Sequence, residues 1–354
     1  MGRLRELSRW LPGALALILV ACSATPAAPP VASPPAAAPP AAAEAAPTST
    51  PPSLLKLEVP TATLSATSTP LWVAVDYGFF RRYGFDAEVK GLAPAAATQA
   101  IQSGSVPFGA TAGSTVTAFV GGARELVYIA GLLNKVLFQL VAQPEVARVE
   151  DLRGKAVGTS TAGSSAAIAL TEALRRYGLE PDRDVAVLYL RDQPGILTGL
   201  LSGQIAAGFL ASPYNRQARV QGYRLLLDTA DLDIAILGLN ITTTRGVIER
   251  ERDTARRFLM AYIEAIEFAR RQPAATIESI MRGTRNDDRA LAEEAYQLYR
   301  AVWDPWPSAQ AIQTFLDNLD VPGARDVRPE QLIDDSLLQE LEASGWLAAH
   351  LSPP

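Results

Sequence analysis

The sequence predicts an α/β protein of two lobes followed by a helical extension. Strand-like and helix-like patterns alternate from Leu54 to Val220, and they do so in two blocks of similar grammar. From Glu249 onward the apolar spacing is helical almost throughout.

The first block opens with a strand at Leu54 to Val59 and a helix from Pro70 to Tyr83, in which Leu71, Val75, Phe79 and Phe80 fall at roughly helical spacing and Gly84 supplies the stop. Phe85 to Val89 alternates as a second strand. Ala93 to Ser103 follows as a helix closed by Gly104, and Val106 to Ala110 as a strand. Strand, helix, strand, helix, strand in this order implies parallel strands joined by crossover helices. In the second block, Ala156 to Gly158 and Val185 to Leu190 read as strands around a helix from Ser164 to Tyr177 that stops at Gly178. Ile196 to Ser202 is a helix, Ala206 to Leu210 a strand, and Ser212 to Val220 a helix. After the strand-like stretch Ile234 to Thr242, helices are expected at Glu249 to Arg271, Pro273 to Arg282, Asp288 to Val302, Ser308 to Leu316 and Pro329 to Ser344. Such a tail is expected to wrap over the first lobe.

The N-terminus reads as an export signal rather than as part of the fold. Arg3, Arg5 and Arg9 precede an apolar run from Leu11 to Ala21 that is shorter than the roughly 20 residues a membrane span needs. Leu19-Val20-Ala21-Cys22 then resembles a bacterial lipobox, which implies a signal peptide at 1–21, cleavage before Cys22 and lipidation of its thiol. Ser23 to about Ser53 is nearly all Ala, Pro, Ser and Thr, a composition that buries too little to order itself, so 22–53 is expected to be an extended tether. Export and anchoring by lipid on the outer side of the cytoplasmic membrane follow.

Cys22 is the only cysteine of the 354 residues, so no disulfide forms within the chain, and His350 is the only histidine. Metal clusters of the His/Cys kind and Ser/His/Asp nucleophilic sites are therefore hard to build, and neither a cofactor nor a metal is expected. The net charge of −5 gives no basis for nucleic-acid binding.

The candidate site lies in polar loops between a strand and the next helix, where free backbone N–H groups await a ligand. The tetrapeptide Thr-Ala-Gly-Ser occurs at two such junctions. Thr111, Gly113, Ser114 and Thr115 precede one helix, and Ser160, Thr161, Gly163, Ser164 and Ser165 precede the other. Hydroxyls and helix N-termini of this kind hold anions, but each Ser or Thr is equally suited to capping its own helix. Neither loop carries the lysine of a nucleotide P-loop. A third loop, TATLSATST, offers Ser65, Thr67, Ser68 and Thr69, and its other reading is a solvated surface loop. Pro213 and Tyr214 lie in a fourth loop, after the strand Ala206 to Leu210, and Asn240 marks where the chain recrosses between lobes. The aromatic cluster Trp303-Asp304-Pro305-Trp306-Pro307 is either a cap on the cleft or a packed corner of the tail.

These residues together resemble a known family. The stretch STPLWVAVDYGFFRRYGFDAEV, the run Ala100-Ile101-Gln102-Ser103-Gly104-Ser105-Val106, Asp151 to Gly158 ahead of the serine loop, and Leu200-Leu201-Ser202-Gly203-Gln204-Ile205 with Pro213 are similar to solute-binding proteins of nitrate/sulfonate/taurine-type ABC importers, which share a fold with synthases of the thiamine pyrimidine. The resemblance implies a type II periplasmic-binding fold: two α/β lobes around a ligand cleft with a helical C-terminal extension. On that plan the first lobe spans 54–143 plus 238–354, and the second 144–237. It further implies a monomer that closes on a small anionic or zwitterionic solute, sulfonate-, nitrate- or pyrimidine-like, and passes it to permease and ATPase subunits. The alternatives are a pyrimidine-precursor synthase, whose histidines and cysteines this body lacks, and a ligand sensor without transport. The polar loops hold no arginine, so Arg191, Arg216 and Arg245, near expected strand ends, are the candidates to meet an anion.

Overall fold

The fold is that of a computed structural model in which residues 53–62, 64–135, 137–232 and 234–352 are described. The expected leader, Cys22 and nearly all of the tether lie outside the described residues. No helix among the described residues is long and apolar enough to cross a membrane.

Among the described residues, ten strands form two five-stranded sheets. The first contains β1 (Leu55–Thr61), β2 (Phe85–Gly91), β3 (Gly109–Thr111) and β4 (Leu126–Gly131). The second contains β5 (Gln139–Ala142), β6 (Ala156–Thr159), β7 (Ala186–Tyr189), β8 (Ala207–Leu210) and β9 (Arg224–Asp228). β10 (Asn240–Thr244) returns to the first sheet. The strand orders are β2-β1-β3-β10-β4 and β7-β6-β8-β5-β9, so each sheet takes one strand from a chain segment that has just crossed from the other.

That crossing corrects the expectation of purely parallel sheets. β1 pairs in parallel with β2 and β3, and β6 with β7 and β8, but β10 and β5 each run antiparallel to both neighbours. The cause is chain direction. β4 and β9 end where their chain leaves the sheet, the segment crosses, and the next strand must run back from that same edge. The first crossing falls at 132–138, ahead of the boundary expected at 143, because β5 belongs to the second sheet.

Three expected helices are divided, one of them the stretch from Pro329 to Ser344, which forms a 3-10 turn at Pro329–Leu332 and a helix at Ser336–Ala343. Gly78, at φ 72°, separates Thr69–Asp76 from Phe79–Arg82 within the stretch expected to be one helix. The helix expected from Glu249 is likewise two, Arg245–Arg250 and Arg252–Arg271, parted at Glu251.

Around the first sheet, helix Arg252–Arg271 places Phe258 against Phe108, stacked at 4.5 Å between ring centres, and against Phe80 at 5.1 Å. The helices Pro273–Thr284, Arg289–Tyr299 and Ser336–Ala343 complete this core. Helix Ala309–Asp317 departs from the expected wrap over the first lobe. Its Ile312, Phe315 and Leu316 pack in one cluster with Val116 and Phe119 from the first sheet's helix and with Leu170 and Leu174 from the second's, so this helix is a wedge between the two halves. Asn318 fastens it, donating from Nδ2 to Glu172 at 3.0 Å.

Candidate functional site

The carboxyl ends of β1, β3, β6, β7 and β8 all lead into loops that line one cleft. Ligands bind at this edge of α/β sheets because helix starts expose their N–H groups there. The cleft has two adjoining compartments of about 570 and 640 Å³, which share Ala62, Ala112 and Ser165 in their walls.

The crossing segments lie side by side at the cleft. Leu133 donates its N–H to Leu239 at 2.9 Å and accepts from Gly238 at 3.0 Å. A side chain at Gly238 would stand 2.5 Å from the Leu133 carbonyl, so the pair tolerates no Cβ there. Gly131 has a similar constraint, since its Cβ would lie 2.3 Å from the Trp306 carbonyl and 2.6 Å from that of Asp304. The aromatic cluster is therefore a packed corner against the first crossing and not a cap. Trp303 is fully buried, Pro305 accepts from Gly131 N–H at 2.8 Å, and Trp306 accepts from the Asn134 amide at 2.7 Å.

Of the expected site residues, Ser65, Thr67, Ser165, Pro213 and Tyr214 line the first compartment. Gly113, Ser114, Thr161, Gly163, Ser164 and again Ser165 line the second, so both Thr-Ala-Gly-Ser loops do open on one space. Most of their hydroxyls, that of exposed Thr161 apart, are nevertheless engaged. Ser114 Oγ lies 2.8 Å from Thr98 Oγ1, Ser164 Oγ lies 2.8 Å from Ser160 Oγ and accepts from Ala167 N–H at 3.2 Å, and Ser165 Oγ donates to the Leu237 carbonyl at 2.7 Å. Capping and pocket lining coexist at Ser164. Ser114 has no capping role, since the cap position of its helix is Ala112.

Six expected residues line neither compartment. Ser68, Thr69, Thr111, Thr115 and Asn240 are fully buried behind the wall, and Ser160, half-buried in the second loop, is paired with Ser164. Thr69 donates to Ala66 O at 2.6 Å, Ser68 pairs with Thr61, and Asn240 donates to Gly238 O at 3.2 Å. Thr111 Oγ1 lies 2.6 Å from both Thr115 Oγ1 and Thr242 Oγ1, a hydroxyl chain that ties β3 to β10. These side chains hold the loops in place.

The arginines proposed to meet an anion are held elsewhere. Arg216 pairs with Glu294 at 3.3 Å, Arg245 with Asp334 at 3.7 Å, and Arg191 stands in solvent with its side chain 87% exposed. None lines the cleft.

Sequence reasoning missed much of the first compartment. Gln193 and Pro194 come from the loop after β7, Leu133, Leu137 and Phe138 from the first crossing, and Ile280, Thr284, Asn286, Asp288, Leu291 and Tyr299 from the helical tail. Only the run of Asp287, Asp288 and a helix pattern was a signal, and it marks a cap. Asp288 Oδ1 does accept from Ala290 and Leu291 N–H at 3.0 and 3.2 Å. Burial pushes the Tyr299 hydroxyl up to about 12, and it pushes that of Tyr128 higher still; Tyr128 donates to Ala112 O at 2.7 Å, under the first loop. Both phenols stay protonated at neutral pH. His350 lies at the far end of the chain, stacked on Trp346 at 4.2 Å, and among the described residues no group of His, Cys, Asp and Glu is placed to hold a metal ion.

Two α/β sheets exchanging strands around a solute-sized cleft define the periplasmic binding protein fold. Residues 65–276, more than half of the chain, match the family described as NMT1/THI5 like, and the chain belongs to it. Solved structures with the same fold include the periplasmic aliphatic sulphonate binding protein SsuA of Escherichia coli, 21% identical over 85% of this chain and 93% of that one, with a TM-score of 0.63. The alkanesulfonate-binding SsuA of Xanthomonas axonopodis pv. citri, bound to MOPS, is 19% identical over 80% and 98%, at 0.61. The periplasmic nitrate-binding protein NrtA of Synechocystis PCC 6803 is 11% identical over 84% and 91%, at 0.63. At these identities the likeness is one of fold. No curated protein matches the chain in sequence.

Proposed function

We propose that this protein is an extracytoplasmic solute receptor of an ABC importer, a monomer held at the membrane by lipid on Cys22. The observation that carries the reading is the single cleft lined from both sheets. Ser65 and Thr67 approach it after β1, and Gln193, Ser212 and Tyr214 after β7 and β8. A solute touching both sides binds the closed arrangement better than the open one and shifts the population toward it. The 132–138 and 234–239 segments, paired at Leu133, serve as the hinge, and the two lobes divide there. The sulfonate and nitrate of the structural relatives support a small polar solute as the cargo. The Leu19-Val20-Ala21-Cys22 signature supports the anchor.

The test is retention of a small molecule by the purified full chain, followed by uptake of that molecule into vesicles carrying the permease and ATPase. A chain that retains no solute and raises no uptake would sink the reading. Replacing Cys22 with Ser is expected to abolish labelling by a fatty-acid analogue and to release the protein from membranes.

A further inference from the structure

Charge is distributed in the cleft in a way that the expected anion does not fit. Among the described residues lining the two compartments, Asp288 is the only charged side chain, and neither Lys, Arg nor His is present. An anion leaving water needs an opposing charge or several free donors. Some of the hydroxyls there are already engaged with one another or with backbone carbonyls, as Ser65 is with Thr67 at 2.8 Å and Ser165 with Leu237, and those of Ser212, Tyr214 and Tyr299 are neutral donors without a charge behind them. Arg216 and Arg219, the cations nearest in sequence to the cleft residue Tyr214, are both turned onto Glu294, at 3.3 and 3.5 Å.

The walls have their own preference. Leu64, Leu137, Phe138 and Leu291 give the first compartment an apolar surface, and Tyr214 and Tyr299 add rings with a polar tip. Leu64 is 43% exposed, a large apolar side chain left open at the cleft. The volume of about 570 Å³ corresponds to roughly 20 water molecules at ~30 Å³ each, far more than an ion such as nitrate fills. A pocket of this size and lining suits a molecule with an apolar body, positioned by a few polar groups.

We infer that the solute carries no net negative charge: it is a neutral or cationic molecule with an apolar, ring-sized body and a hydrogen-bond donor turned toward Asp288. This rests on the receptor reading above and narrows its cargo. Asp288 is fixed by its cap on helix Arg289–Tyr299, so its carboxylate is held at the cleft without rearrangement. The first turns of helices Gly113–Val120 and Ser165–Arg176 favour negative charge in the second compartment; Ser164 occupies the latter start as its cap, and the former, which has no side-chain cap, opens on the second compartment and not on the one that Asp288 lines.

The experiment is mass spectrometry of what the full chain retains from a cell extract, with calorimetry on four probes of one shape: benzamidine, benzamide, benzoate and benzenesulfonate. The expected result is a retained molecule without net negative charge, and binding of benzamidine and benzamide at least tenfold tighter than of the two anions. Asp288→Asn, which keeps a good helix cap, is expected to narrow the gap between benzamidine and benzamide. A retained sulfonate, carboxylate or phosphate with net negative charge, or benzoate binding as tightly as benzamide, overturns the inference and leaves the receptor reading standing. If the four probes do not bind, the charge of the retained molecule decides. Retention of nothing at all overturns the receptor reading, and the inference with it.

Discussion

The glycines of the two Thr-Ala-Gly-Ser copies are required for different physical reasons, and substitution separates them. A Cβ on Gly113 would stand 2.1 Å from the Phe315 ring, against 3.4–4 Å for ordinary contact. That ring is 2% exposed and packed in the cluster with Val116, Phe119 and Ile312, so it has no free space to swing into. Gly113→Ala is therefore an overpacking change, worth about 1–3 kcal/mol of stability. Gly163→Ala meets no atom within 4 Å, but its φ of 70° is left-handed and costs an alanine about 1–2 kcal/mol. The single effects overlap, so the distinguishing quantity is coupling to Phe315. Phe315→Leu removes the obstructing ring and is expected to relieve Gly113→Ala by about 0.5–3 kcal/mol while leaving Gly163→Ala additive. Urea unfolding of the two double-mutant cycles reads both terms. Additivity of Gly113→Ala with Phe315→Leu to within about 0.5 kcal/mol would refute the wedge role given to helix Ala309–Asp317.

Gly131→Ala is expected to cost at least the upper part of the about 1–3 kcal/mol overpacking range, because the obstructing atoms are backbone carbonyls of Asp304 and Trp306; a midpoint equal to wild type in urea would contradict this. Glu294, on a helix packed against the first sheet's core, pairs across to Arg216 and Arg219 beside the second sheet. Glu294→Gln should lower the stability of the arrangement in which these ion pairs form by about 0.2–1 kcal/mol, seen as a lower midpoint in urea, and the difference should shrink in high salt. The Glu180 backbone N–H, followed by Arg183, holds the Asp184 carboxyl down from 3.8 to about 2. A depressed carboxylate stabilises the fold above its unfolded value, so this contribution is complete above about pH 4 and lost as pH falls toward 2. Asp184→Asn should flatten the acid limb of the thermal midpoint, and an unchanged limb would show that the Arg153–Asp184–Arg183 corner does not carry it.

Which elements could be read in advance follows from length and pattern. β1 and β2 were legible because turn and stop residues bound them, and the first Thr-Ala-Gly-Ser helix because a polar loop precedes its apolar run. β4 was not, since its six residues are all buried, and an unbroken apolar run has no period to separate strand from helix. β5 and β9 are short and lack alternation, and only pairing across the sheet makes them strands. The candidate site divides in the same way. Loop residues at strand ends lie at the cleft because any parallel sheet puts them there, which brought Ser65, Thr67, Ser165 and Tyr214 into view.

The sequence by itself determined the alternation of strands and helices, the helical extension, and four of the five strand ends that face one edge. Those are local properties of composition, spacing and turn residues. Tertiary structure alone decided the antiparallel crossing strands, the wedge at Phe315, and the burial of Thr111, Thr115 and Asn240 behind the wall instead of at the surface. It also decided the cleft's charge, because Asp288 reaches the first compartment from a helix more than 200 residues after Ser65, while Arg191, Arg216 and Arg245 are held outside it. Whether a polar side chain becomes a lining group, a cap or a strut depends on which distant segment packs against it, and that is fixed only when the chain has closed on itself.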